Sequence, residues 1–560
     1  MWTKRHLTPL LLAGALAVLG ACASERGRSD TATVTQESVG AAAPQPMVAA
    51  DMMEVAPPVD YDAAVRGVPG AADTAGFNRE GYRLIRENEF QDVTLHPLST
   101  FAIDVDAASY SNVRRFLTEG RLPPADAVRL EELINYFEYD YPDPEGEHPF
   151  SITTEVSAAP WNPAHRLVHV GLQGRRMERH SLPPGNLVLL VDVSGSMDEP
   201  NKLPLVKESL RLLVEQLRPQ DRVSIVVYAG AAGLVLPPTA GSEKGRIMRA
   251  IDDLQAGGST AGGEGIVLAY RTAREAFIQG GNNRVILATD GDFNVGVSSD
   301  AELVRLIERE REAGVFLTVL GFGTGNYQDA KMEQLADAGN GNYAYVDGEA
   351  EARKVLVREM GGTLLTIAKD VKVQVEFNPA RVRAYRLIGY ENRALAPEDF
   401  QDDKKDAGEL GAGHSVTALY EVVPVGAPTP VRGAGPLRYQ ETRPRAGTRQ
   451  TGELLTVALR YKQPDGETSR LIERPVADRG AALERTSDDF RFAAAVAQWG
   501  LLLRDSKFKG TSSWSGVLGL ARGALADDPG GYRAEFVGLV EQSRQIAARE
   551  RRDEDRVAGN

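Results

Sequence analysis

Four apolar runs, at residues 187–192, 223–228, 285–289 and 316–320, alternate with helix-periodic segments at 202–217, 246–254, 265–278, 301–313 and 329–338. Strands that are apolar on both faces need cover on both faces. A parallel sheet wrapped by crossover helices provides it. The middle of the chain, 186–365, therefore predicts a Rossmann-like, doubly wound α/β domain. In such open sheets ligands gather beyond the carboxyl ends of the strands, where the strand order reverses.

The residues at those strand ends carry oxygen. Asp192-Val193-Ser194-Gly195-Ser196 follows the first run directly. Thr260 closes the loop Gly257-Gly258-Ser259-Thr260 ahead of a helix, and Asp290 ends the third run. Hydroxyls and carboxylates suit a hard divalent cation, which prefers oxygen ligands and keeps some water. Ser194, Ser196 and Thr260 would be neutral ligands, with Asp192 and Asp290 acting mainly through water. A cation bound with so little direct anionic charge stays electrophilic, and can accept a Glu or Asp carboxylate from another protein. The bland alternative makes Asp192 and Ser194 helix caps and Asp290 a turn residue.

In order and in context, the pattern D-x-S-x-S…T…D resembles the metal-ion-dependent adhesion site of von Willebrand factor type A (VWA) domains. The resemblance implies Mg²⁺ or Mn²⁺, with Ca²⁺ as a further candidate. It also implies a protein-binding role without catalysis. The segments 99–110, 130–136 with 141–142, and 288–296 look like the bacterial lipoprotein branch of that superfamily. That branch carries an N-terminal flanking domain and a C-terminal domain of unknown function.

Outside the α/β region the pattern changes to period two, at 151–156, 166–173, 371–377, 382–388, 415–423 and 454–461. A β-sandwich needs about seven short strands, more than either flank supplies alone. The expectation is a VWA domain inserted in a β-sandwich formed by the flanking segments, with 166–173 close to 371–377. The parts are a signal peptide at 1–21, a disordered tether at 22–88, a VWA-associated α+β segment at 89–180, the VWA domain at 186–365, a β-rich segment at 366–475 and C-terminal helices at 476–560.

The start of the chain explains its single cysteine. Lys4-Arg5-His6 precedes an apolar stretch too short to span a bilayer, which ends Leu19-Gly20-Ala21-Cys22. This resembles the lipobox of bacterial lipoproteins. It implies cleavage before Cys22, a diacylglycerol thioether on its sulfur and an acylated amine. Buried methylenes contribute about 0.8 kcal/mol each, and two or more chains anchor stably. The expected place is the cell envelope, lipid-anchored, and the outer membrane in a Gram-negative source, since Ala23 rather than Asp follows the cysteine. One cysteine excludes an internal disulfide, zinc ribbons and Cys-ligated iron–sulfur clusters. The net charge of −14 argues against nucleic acid as a partner.

Other patterns carry less. Asp104-x-Asp106-x-x-Ser109 lacks the glycine and terminal Glu of a calcium loop, and Asp106 reads as a helix cap. His165 and His169 have zincin spacing, but on a strand they lie about 13 Å apart. Gly321-Phe322-Gly323-Thr324-Gly325 is not a phosphate loop. No G-x-S-x-G elbow surrounds Ser194. The Arg- and Pro-rich stretch 424–451 reads as a solvated loop. The functional expectation is an envelope-anchored protein binder. The alternative is an envelope scaffold in which the metal only stabilises the fold.

Overall fold

The computed structural model describes residues 80–558, apart from 104–105, 260–261, 292–298, 326, 360–364, 406, 432–450 and 465. The signal peptide, Cys22 and nearly all of the tether lie outside the described residues, as do Asp104, Thr260 and most of the Arg/Pro-rich loop.

The middle of the chain forms a six-stranded sheet. Its order is Tyr343–Val346, Val315–Phe322, Asn282–Thr289, Gly185–Asp192, Arg222–Tyr228, Ala232–Ala240. All neighbours are parallel except the last pair. Successive side chains of a strand point to opposite faces. Leu187, Leu189 and Val191 thus pack under the helix Leu203–Gln216. Val188 and Leu190 pack under Ile266, Ala269, Tyr270 and Ala273 of the helix Gly262–Glu275. Each fully buried side chain of this kind contributes roughly 1.5–3 kcal/mol. The edge strand Tyr343–Val346 is covered by the helix Ala108–Thr118, whose Ser111 hydroxyl donates to the Tyr345 carbonyl over 2.7 Å. The opposite edge, Ala232–Ala240, contains Pro237 and Pro238, which remove ladder donors and discourage further pairing.

Both flanks together build the sandwich, as expected. One sheet orders Gln91–Asp92, Val382–Ile388, Ser415–Pro424, Asn162–Gly174, Phe150–Ala159. The other orders Ala394–Leu395, Leu98–Ala102, Thr366–Phe377, Glu453–Lys462, Arg470–Ala477. Val168, Val170 and Leu172 meet Val371, Val373 and Val375 in the shared core. Each sheet thus combines strands from both sides of the α/β insertion.

The C-terminal helix Asp488–Leu503 is capped by Ser487, whose hydroxyl accepts the Phe490 N–H. It is buried along most of its length, so its apolar run is a core helix. Tyr110, Tyr136, Phe137, Trp499 and Phe536 form one aromatic cluster that joins it to the N-terminal helices. Among the described residues no helix is long and apolar enough to cross a membrane.

Two buried ion-pair networks fix the α/β domain to its flanks. Arg129 pairs with Glu132, Asp329 and Glu333. Arg393 pairs with Asp106, Glu333 and Asp337. Arg114 pairs with Asp347 and Glu351 of the α/β domain and with Glu535 of the last helix. Asp106 does not cap the helix Ala108–Thr118, whose start has no side-chain cap. Its Oδ1 instead accepts the Tyr343 N–H over 2.8 Å, because the pull of Arg393 and of an edge-strand donor outweighs local capping.

Candidate functional site

Asp192 is the last residue of Gly185–Asp192, and Asp290 lies one residue beyond Asn282–Thr289. These strands are adjacent. From them the sheet grows outward in opposite directions, through Arg222–Tyr228 on one side and Val315–Phe322 on the other. The two aspartates therefore flank the point where strand order reverses, the crevice that ligands use in open α/β sheets.

Asp192 is wholly buried. Its Oδ1 accepts the Ser194 N–H at 2.9 Å, and its Oδ2 accepts the Tyr228 hydroxyl at 3.0 Å and the Thr289 hydroxyl at 3.3 Å. The turn Ser194–Ser196 is thus folded back on the strand end. Burial pushes the Asp192 carboxyl up to about 6, against the opposing pull of its hydrogen bonds with Ser194. A second set of bonds stitches the glycine loop to this turn. Gly195 N–H donates to the Gly258 carbonyl at 3.0 Å, and Gly257 N–H to the Val193 carbonyl at 2.8 Å. Ser259, at the end of that described stretch, directly precedes Thr260.

Ser194 Oγ and Ser196 Oγ lie 3.1 Å apart. Adjacent corners of an octahedron with arms of about 2.1 Å are about 3 Å apart, so the two hydroxyls fit neighbouring positions on a Mg²⁺-sized ion. The donor set is all oxygen, as such an ion requires.

One cation of the chain itself enters the site. Lys202 is almost fully buried, and its Nζ donates to the Ser196 carbonyl at 2.9 Å and to Asp290 Oδ2 at 3.1 Å. Glu199 Oε1 is 3.6 Å away on the rim. Sequence reasoning missed Lys202 and Tyr228. A lone charge in the otherwise apolar start of a helix, Lys202-Leu203-Pro204-Leu205-Val206, was the available signal for the first. A polar group ending a neighbouring strand at the same edge was the signal for the second.

The weaker motifs resolve into structure. His165 and His169 lie on the strand Asn162–Gly174 and meet Glu421 and Tyr141 respectively. Asp106, Glu132 and Glu333 bring carboxylate oxygens within 4.8 Å of one another, but Arg129 and Arg393 already pair with them.

A doubly wound sheet with a D-x-S-x-S turn at its switch point defines the class, a VWA-domain protein. Residues 186–358 match the family described as von Willebrand factor type A domain, and 76–169 match that described as von Willebrand factor. Residues 362–546 match the family described as Uncharacterized protein YfbK, C-terminal. The chain is similar to the Uncharacterized protein YfbK of Escherichia coli K12, with 45% identity over 467 residues, 82% of this chain and 80% of that one. It belongs to the YfbK family of VWA proteins. A UPF0353 protein of Mycolicibacterium paratuberculosis is 31% identical over 150 residues, 25% of this chain and 44% of that protein. Among solved structures, a von Willebrand factor type A protein from Catenulispora acidiphila aligns with a TM-score of 0.37 at 17% identity, covering 69% of this chain and 88% of that one. As a class, VWA domains mediate protein–protein interaction, and many bind a divalent cation.

Proposed function

We propose that this chain is a lipid-anchored envelope protein that binds a protein partner through a divalent cation held at the edge formed by Asp192, Ser194, Ser196, Thr260 and Asp290. The observation that carries this reading is the paired hydroxyls of Ser194 and Ser196, 3.1 Å apart at the strand-order switch between two aspartates. Asp192 holds the turn in shape through its bonds to Ser194, Tyr228 and Thr289, and it orients the hydroxyls rather than attacking anything. A cation such as Mg²⁺ or Mn²⁺ supplies positive charge and an open position for a Glu or Asp carboxylate of the partner. The Ser194 hydroxyl meets another hydroxyl rather than a base, so the proposal is a binder and not an enzyme.

Exposed apolar side chains lie on the elements next to this edge. Leu234 and Val235 lie on the outer strand that follows Tyr228, and Val267 on the helix that follows the glycine loop. They offer the apolar area that a protein interface needs beside its charged contact. Cys22 would place the molecule on the membrane through its acyl chains.

The test is a crosslinking pull-down from envelopes with the full chain and its Asp192→Ala variant, with Mg²⁺ and with EDTA. Partner capture is expected only for the wild type with Mg²⁺. Equal capture by the variant, or capture indifferent to EDTA, would refute the mechanism. A scaffold whose metal only stabilises the fold would lose melting temperature in EDTA without metal-dependent capture.

A further inference from the structure

Lys202 is an unusual occupant of an oxygen-lined cation site. Its ammonium is buried, bonded to Asp290 Oδ2 and to the Ser196 carbonyl, and its stem runs against Gly323. A Cβ on Gly323 would lie 2.5 Å from Lys202 Cγ and 2.6 Å from its Cε. The side chain is therefore held along a fixed track and does not swing freely into solvent.

Resting on the metal-dependent reading above, we infer that Lys202 sets the charge of the loaded site, weakening cation binding so that an anionic partner group is required. Among the described residues the buried charges of this crevice are Asp192, Asp290 and Lys202, which leave one net negative charge. A divalent cation turns that into one net positive charge, and a single carboxylate then brings the site to neutrality. Without Lys202 the cation alone would neutralise both aspartates, and an arriving carboxylate would meet no net attraction. Glu199 approaches Lys202 at 3.6 Å, but it sits largely in solvent, where water screens its charge. The low-dielectric crevice magnifies the effect of the buried charge. Lys202 is thus a positioning residue that also selects for acidic partners.

The experiment uses the full chain and Mn²⁺ alone as the probe, titrated by electron paramagnetic resonance in chloride and in acetate. Lys202→Met and Lys202→Arg are compared with wild type, with thermal melts to establish folding. In the wild type, acetate should tighten Mn²⁺ binding severalfold. Lys202→Met should bind Mn²⁺ at least tenfold more tightly and lose the acetate effect, while Lys202→Arg should stay within about threefold of wild type. The inference is overturned if folded Lys202→Met binds Mn²⁺ no more tightly than wild type, or if acetate does not help the wild type. The acetate comparison decides even where Lys202→Met fails to fold. Absence of any Mn²⁺ binding by the wild type is a separate outcome, which removes the metal reading itself and the inference with it.

Discussion

The Tyr228 hydroxyl donates to Asp192 Oδ2 over 3.0 Å, from the end of one strand to the end of its neighbour. Both groups are buried, so water cannot replace the bond. Tyr228→Phe removes this donor and leaves Oδ2 the longer Thr289 contact at 3.3 Å. The expected cost is about 1–3 kcal/mol of stability, the penalty for a buried acceptor that loses its donor. On the metal reading, Mn²⁺ affinity should also fall severalfold, because Asp192 no longer holds the Ser194–Ser196 turn as firmly. Urea denaturation and Mn²⁺ titration of the same variant check both. An unchanged unfolding midpoint would show that Tyr228 does not support Asp192.

Arg129 is one of three arginines that tie the α/β domain to its flanks. Its guanidinium contacts Glu132 at 2.8 Å, Asp329 at 2.5 Å and Glu333 at 2.9 Å, all buried. Arg129→Met removes this cation from Glu132, Asp329 and Glu333, with Arg393 still paired to Glu333. Breaking a buried pair from one side costs about 3–5 kcal/mol. The expected result is a large loss of stability and the separation of one unfolding transition into two, followed by near-ultraviolet circular dichroism and by tryptophan fluorescence. Coincident transitions at the wild-type midpoint would contradict the assignment.

How much of this was legible in the sequence follows from what local pattern encodes. The central strands and the sandwich strands announced themselves through continuous or alternating apolar residues, and D-x-S-x-S sat where the strand end said it would. The strand Ala232–Ala240 escaped because Pro237 and Pro238 break its pattern, and Tyr343–Val346 because four residues carry no period. Arg470–Ala477 escaped because an edge strand needs no apolar alternation: Arg470, Glu473 and Arg474 face solvent. Asp106 and Lys202 act through partners more than 80 residues away in the chain, at Tyr343, Arg393 and Asp290. No local rule reports such partners.

His169 is fully buried in the sandwich, its Nε2 2.8 Å from the Tyr141 hydroxyl, which also meets Thr417 Oγ1 at 2.7 Å. Burial pushes the imidazole down to about 4. An unfolded histidine titrates near 6.5. As pH falls below about 6.5, the unfolded chain takes up a proton that the folded chain refuses until about 4. This group therefore costs nothing at neutral pH and removes stability progressively between those values, about 2 kcal/mol by pH 5 and about 3 kcal/mol at the limit. His169→Gln, which cannot titrate, should show a shallower fall in its urea midpoint from pH 7 to pH 5. Parallel curves for variant and wild type would rule out His169 as an acid-sensitive element of the core.

Gly323 tests whether the track of Lys202 matters to the fold as well as to the site. Its φ of 73° lies in the left-handed region, and a Cβ there would overlap three carbons of the Lys202 stem. Gly323→Ala should therefore carry two costs: about 1–2 kcal/mol for the backbone conformation, and a second for displacing Lys202 from Asp290. A double-mutant cycle separates them. In a Lys202→Ala background the stem is absent, so only the backbone cost should remain. The stability difference between the two backgrounds, read from urea midpoints, is then the coupling between Gly323 and Lys202, expected at about 1 kcal/mol or more. Additive effects would mean that the lysine moves aside without loss, and that Gly323 serves only the turn.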